Sequence, residues 1–144
     1  MTDELLRRLT AYPNELRSGS ISSRLFEEIV AEIWHGFGFD VELTKCTRDG
    51  GYDVVAIRRR LVHERFLIEC KRPITDRKIG VRPVRELYAV KISERATKAI
   101  LATTSYFTRD AVMLIDDHRW ELEGCDFDGI CDWLRMYHEM KAGE

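Results

Sequence analysis

The chain of 144 residues is long enough for one domain with a sizeable core and leaves little room for a second. Its 44% hydrophobic and 33% charged residues are ordinary for a globular protein, and a formal charge of −2 argues neither for nor against a nucleic-acid partner. No apolar run approaches the roughly 18 residues of a membrane span, and the charged segment "MTDELLRRLTAYPNELRSGS" has no signal-peptide core, so a cytoplasmic protein without membrane contact is expected.

A short helix is expected over residues 3–12, followed by the polar loop "PNELRSGSIS"; residues 1–20 thus read as an N-terminal helix-and-loop extension. Ser22 or Ser23 can cap a longer helix ending near Gly36 to Gly38, because a hydroxyl there accepts a bond from an otherwise unpaired helix N–H. Its apolar residues Leu25, Phe26, Ile29, Val30, Ile33, Trp34 and Phe37 form one stripe at helical spacing. Glu27 falls on the edge of that stripe beside Trp34, whereas Glu28 projects to solvent.

Three strands follow, "DVELTKC", "YDVVAIRR" and "RFLIECK", joined by the turn "TRDGG" and the charged connection "RRLVHE"; this reads as an antiparallel meander. The helix "RPVRELYAVKISERA" has Pro83 in its first turn and Val84, Leu87, Tyr88 and Ile92 on its packed side. "KAILATTS" is a short apolar strand, Thr108 caps the helix "RDAVMLIDDH", "WELEG" is a last strand and "DFDGICDWLRMYHEM" a final helix. The order αα-βββ-α-β-α-β-α predicts an α/β sandwich, a central mixed sheet flanked by helices.

Two strands carry carboxylates where core residues are expected. In "YDVVAIRR", Asp53 alternates with Val55 and Ile57; in "RFLIECKR", Glu69 and Lys71 alternate with Leu67, while Phe66, Ile68 and Cys70 point the other way. An ionised carboxylate buried without a cation or several donors is costly. If the hairpin brings Asp53 and Glu69 together, one must take a proton or a cation must bind. Carboxylate oxygens suit Mg²⁺ or Mn²⁺, with water and phosphate completing the shell. Lys71 on the same face can orient a water or neutralise charge growing on phosphate, which makes phosphodiester hydrolysis the indicated chemistry. The plain alternative is a structural Glu69–Lys71 ion pair with Asp53 capping a turn.

Beyond these residues, "FEEIVAEIWHGFGFDVELTKCTRDGGYDVVAIRR", "RFLIECKR" and "GVRPVRELYAVKISERATKAILATTSYFTRDA" resemble the catalytic domain of Mrr-type restriction endonucleases, within the PD-(D/E)XK nuclease superfamily. The resemblance spans about Leu25 to Ala111 and rests on F-E, G-F, D-G-G-x-D, E-C-K, V-R-E-L-Y and T-T-S-x-F-T in that order. It implies a restriction-endonuclease-like sandwich forming one nuclease domain over residues 1–144, and a Mg²⁺-dependent DNA endonuclease in which Mn²⁺ substitutes. Asp53 matches the metal-binding aspartate, Glu69 the acid of the E/Q-x-K motif, Lys71 the catalytic lysine and Glu27 the helix glutamate; the Cys70 main-chain carbonyl would face the metal. Many Mrr-like proteins have glutamine at the Glu69 position, and the acid here favours an intact metal site.

Related restriction enzymes carry a separate recognition module, for which residues 1–20 are too few. Target choice is then expected from the domain's own surface, from a homodimer, or from a partner recognition or assembly protein. A Holliday-junction resolvase-like nuclease is the first alternative, and a non-catalytic DNA-binding or assembly subunit the second.

Basic residues crowd the middle of the chain, and Lys45, Arg48, Arg72, Arg82 and Arg85 are candidates for DNA-phosphate contacts. Ser105, closing "TTS" at a strand end, is a further candidate for DNA contact. His35, His63, His118 and His138 form no HxH or HExxH arrangement, and no Gly-rich phosphate loop is present, so neither a zinc centre nor a nucleotide cofactor is expected. The four cysteines form no CxxC pair and are expected to be reduced.

Overall fold

Capping sets the frame of the helical layer. The Ser22 hydroxyl accepts the Leu25 N–H and starts α2 (Ser23–Gly36), and Thr108 and Asp126 start α4 (Arg109–Asp117) and α5 (Phe127–Ala142) in the same way. The computed structural model of the chain describes residues 3–44 and 51–143. Before α2 lie α1 (Asp3–Ala11) and a 3₁₀ turn (Pro13–Arg17). The remaining elements are β1 (Asp40–Leu43), β2 (Val54–Arg59), β3 (His63–Lys71), α3 (Val81–Glu94), β4 (Lys98–Thr103) and β5 (Leu122–Cys125).

The strands form one sheet in the order β1-β2-β3-β4-β5. β1, β2 and β3 pair antiparallel, as the short connections require, while β3, β4 and β5 run parallel through the crossovers α3 and α4. This is the mixed α/β sandwich that the alternation of apolar runs predicts.

Period-two alternation sorts the strand residues between two cores. Val54, Ala56, Ile68, Ile100 and Ala102 pack with Phe26, Ile29, Ile33, Ile130, Leu134 and Tyr137 beneath α2 and α5. Ala99, Leu101 and Leu122 pack with Val84, Leu87 and Ala111 beneath α3 and α4. Each large side chain buried this way contributes roughly 1.5–3 kcal/mol. The N-terminal extension belongs to the first core: Leu6, Leu9 and Leu16 are fully buried. The Tyr137 hydroxyl, within hydrogen-bond distance of Asp3 at 3.0 Å and Glu32 at 2.9 Å, links α5 to α1 and α2.

Two expectations need correction. Ile92 is 51% exposed rather than packed, because the buried stripe of α3 runs through Val84, Leu87 and then Lys91, whose ammonium meets Glu121 at 3.2 Å. Asp53 alternates with Val55 and Ile57 as expected, yet those two are half-buried, and the fully buried β2 residues are Val54 and Ala56. The cause is the unequal cover: α2 packs on β1, β2 and β3, whereas α3 and α4 sit chiefly over β4 and β5.

Candidate active site

The β2–β3 register pairs Val54 with Ile68, and one step further it sets Asp53 opposite Glu69. The entry to β2 is fixed from several directions. The Asp53 N–H donates to the Ile68 carbonyl at 2.8 Å, and the Asp53 carbonyl accepts the Thr44 N–H at 2.9 Å. The Asp53 carboxylate accepts the Cys70 N–H at 2.7 Å. In an extended strand the N–H and C=O of one residue point to the same side, so the Cys70 carbonyl lies on the β2 side of β3.

Glu69 and Lys71 close β3, and their side chains meet at 3.3 Å. Burial pushes the Glu69 carboxyl up to about 8, and its hydrogen bond to Asp53 and the Asp53 charge push the same way, against the pull of Lys71. At neutral pH the Glu69 carboxyl therefore keeps its proton. The structural ion pair of the plain alternative is thus present, but Lys71 lowers the Glu69 carboxyl and so does not account for its being raised. Two facing carboxyl groups at the end of a strand form a place where a cation could stand.

Glu27 comes from α2, its side chain 18% exposed against 45% for Glu28, as the helical phase predicts. Burial and then the charge of Asp53 raise its carboxyl, and Arg24, at 2.9 Å, opposes them. The Cys70 thiol is pushed well above its ordinary value, by burial first and then by Asp53, Glu27 and Glu69, which leaves it protonated and inert. Cys70, Cys125 and Cys131 are free thiols among the described residues.

The phosphate-contact candidates divide. Lys45 and Arg48 lie outside the described residues. Arg82 and Arg85 are exposed in the first turns of α3, which follows the loop leaving Lys71; Arg82 pairs with Glu86 at 3.3 Å. Arg72 is half-buried and donates to the Ser18 carbonyl, so it faces the N-terminal loop rather than solvent. Ser105 is 2% exposed, and its hydroxyl donates to the Arg77 carbonyl at 2.9 Å, which sets it behind the surface. The sequence reading missed Arg24 and Thr44. An arginine three residues before Glu27 was a legible signal; Thr44 carried none.

Among the described residues no cluster of three or more His, Cys, Asp or Glu could hold a metal. A Mg²⁺ or Mn²⁺ ion would have two carboxylates, Asp53 and Glu69, with the Cys70 carbonyl beside them. That all-oxygen set fits a hard cation that keeps water and phosphate in its remaining positions.

The profile of the Mrr_cat family, described as restriction endonuclease, matches residues 19–134. Uncharacterized protein y4cE of Sinorhizobium fredii (strain NBRC 101917 / NGR234) is 28% identical over 147 residues; the match covers 99% of this chain and 37% of that protein. The DNA modification-dependent restriction endonuclease AspBHI superposes with a TM-score of 0.63 at 20% identity, over 97% of this chain and 38% of its own. MspJI restriction endonuclease, solved in complex with a 27-mer oligonucleotide, gives 0.60 at 18% identity over 98% and 33%. The chain thus spans about a third of the length of each of these proteins. With the profile matched over most of its length, the chain belongs to the Mrr_cat restriction endonuclease family.

Proposed function

We propose that this nuclease domain is a divalent-metal-dependent DNA endonuclease of restriction type. The observation that carries the reading is the pair of facing carboxyls, Asp53 and Glu69, at the paired ends of β2 and β3, with the Lys71 ammonium 3.3 Å from Glu69. When bound, the metal would supply a polarised phosphate and a water acidic enough to attack at neutral pH. Asp53 and Glu69 hold it. Lys71, its side chain 40% exposed against 18% for Glu69, orients the attacking water and balances charge developing on the phosphate. Water adds to phosphorus as the opposite P–O bond breaks, leaving one phosphate end and one hydroxyl end. Glu27 supports the site from α2.

One such site cuts one strand, so double-strand cleavage calls for a homodimer or a second nuclease. Duplex DNA in the cytoplasm is the proposed substrate. The description of AspBHI as modification-dependent makes modified duplex the first substrate to try.

The test is nicking of supercoiled plasmid, modified or unmodified, and of a four-way junction, with Mg²⁺, Mn²⁺ or EDTA. Metal-dependent cleavage by wild type that is lost in Lys71→Ala supports the reading. Preference for the junction would reassign the substrate to the resolvase class. Absence of both cleavage and Asp53-dependent metal binding would leave the non-catalytic DNA-binding subunit.

A further inference from the structure

We propose that Arg24 and Thr44 are positioning residues that couple Glu27 on α2 to Asp53 on β2, and so set the geometry in which the carboxylates take a divalent cation. The inference rests on the metal-dependent nuclease reading and concerns residues outside the motif that suggested it.

The coupling is a continuous chain of contacts. Arg24 Nη1 donates to Glu27 Oε1 at 2.9 Å and to the Thr44 carbonyl at 3.3 Å. From the other side of Thr44, its N–H donates to the Asp53 carbonyl at 2.9 Å. Its hydroxyl lies 3.0 Å from the Tyr52 carbonyl and 3.3 Å from that of Asp53. One guanidinium and one threonine therefore join the two ends of the segment between β1 and β2 and fasten both to the helix that carries Glu27. The Asp53 carboxylate, held at its far side by the Cys70 N–H, is left little freedom.

The chemistry explains why an arginine suits the place. The Glu27 side chain is only 18% exposed, so its carboxylate needs a cation or donors beside it. Arginine stays charged at every working pH, and its fork can hold a carboxylate and a carbonyl together. Glu28 lies 3.9 Å from Arg24 Nε on the solvent side, so the guanidinium is braced from both flanks. Partners that orient metal-site carboxylates typically change metal affinity roughly 10–100-fold when removed.

Mn²⁺ titration by calorimetry, and plasmid nicking as a function of Mn²⁺ concentration, distinguish this role from a merely structural one. The proteins are wild type, Arg24→Gln, Arg24→Lys and Thr44→Val, each with its melting temperature recorded. Arg24→Gln and Thr44→Val are expected to need roughly tenfold more Mn²⁺ for half-saturation, with a much smaller loss of rate at saturating Mn²⁺. Arg24→Lys, which keeps the charge but not the fork, should recover part of the shift. A structural role would lower the melting temperature and the active fraction without moving the half-saturating concentration, and that result would overturn the proposal. Should Arg24→Gln fail to fold, Thr44→Val, which removes only the hydroxyl bond, decides the matter. If wild type itself bound no Mn²⁺, the metal reading of the site would fall and this inference with it; wild-type binding that both variants match would overturn this inference alone.

Discussion

Glu69 and Asp53 face each other across the β2–β3 ladder, although they lie sixteen positions apart in the chain. Both the packing and the chemistry of the site follow from that pairing. The strand is buried because it is central to the sheet, and it tolerates a carboxyl at its end because the facing carboxyl and Lys71 divide the charge with it.

Asp53→Asn tests the charge without the shape. The amide oxygen can still accept the Cys70 N–H, so the melting temperature should stay within a few degrees of wild type. Metal binding should vanish from calorimetric titrations. Undiminished binding would remove Asp53 from the metal site.

Lys71→Ala should lower cleavage by roughly 10²–10⁴-fold, the usual range for a lost acid–base or charge-stabilising group. Its side chain is 40% exposed, so stability should change by less than about 1 kcal/mol. Metal binding should survive, because the ammonium is not a ligand. Single-turnover nicking at saturating metal, set beside calorimetry, separates these effects.

The raised Glu69 carboxyl gives the metal-free protein a particular pH dependence. A carboxyl whose folded value of about 8 lies above the ordinary 4.5 binds its proton more tightly in the native state. Its contribution is complete below pH 4.5 and is lost as pH rises toward 8, so stability should fall across that window. Glu69→Gln, which cannot ionise, should lose less over the same window. Denaturant midpoints of both proteins in EDTA at several pH values measure the difference; parallel curves would show that Glu69 titrates normally.

Removing one exposed phosphate contact should reduce the salt slope of DNA binding by about one. Arg82→Ala and Arg85→Ala are expected to behave that way. Arg72→Ala should lower the melting temperature instead, because it loses the bond to the Ser18 carbonyl. Fluorescence anisotropy over a range of salt, together with thermal melts, distinguishes the two kinds of arginine.

Gly36→Ala should cost roughly 1–3 kcal/mol, the usual penalty for overpacking. A methyl there would lie 2.3 Å from the Tyr137 ring where α2 crosses α5. Urea denaturation reads the loss directly, and a neutral outcome would mean that the ring can move aside.

Much of this was legible in the sequence for a local reason. Capping residues Ser22 and Thr108 and the period-two alternation in β2 and β3 act within a few residues, and each appeared where expected. Glu27 and Glu28 were told apart by helical phase alone. What the sequence did not carry was contact at long range. Arg72 looked like a cation at the mouth of the site but turns to a carbonyl fifty-four positions away. Ser105 looked like a strand-end hydroxyl but is occupied by Arg77, twenty-eight positions earlier. Thr44 gave no sign because the carbonyls its hydroxyl reaches, those of Tyr52 and Asp53, lie eight and nine positions further along the chain.

The meeting of α1 and α5 has an architectural consequence. Lys141 in the last helical turn lies 3.9 Å from Asp3 in the first, and Tyr137 is anchored to the same aspartate. Entry and exit of the fold therefore share one doorway. A unit with that geometry can be joined to a longer polypeptide at a single place with its sheet undisturbed.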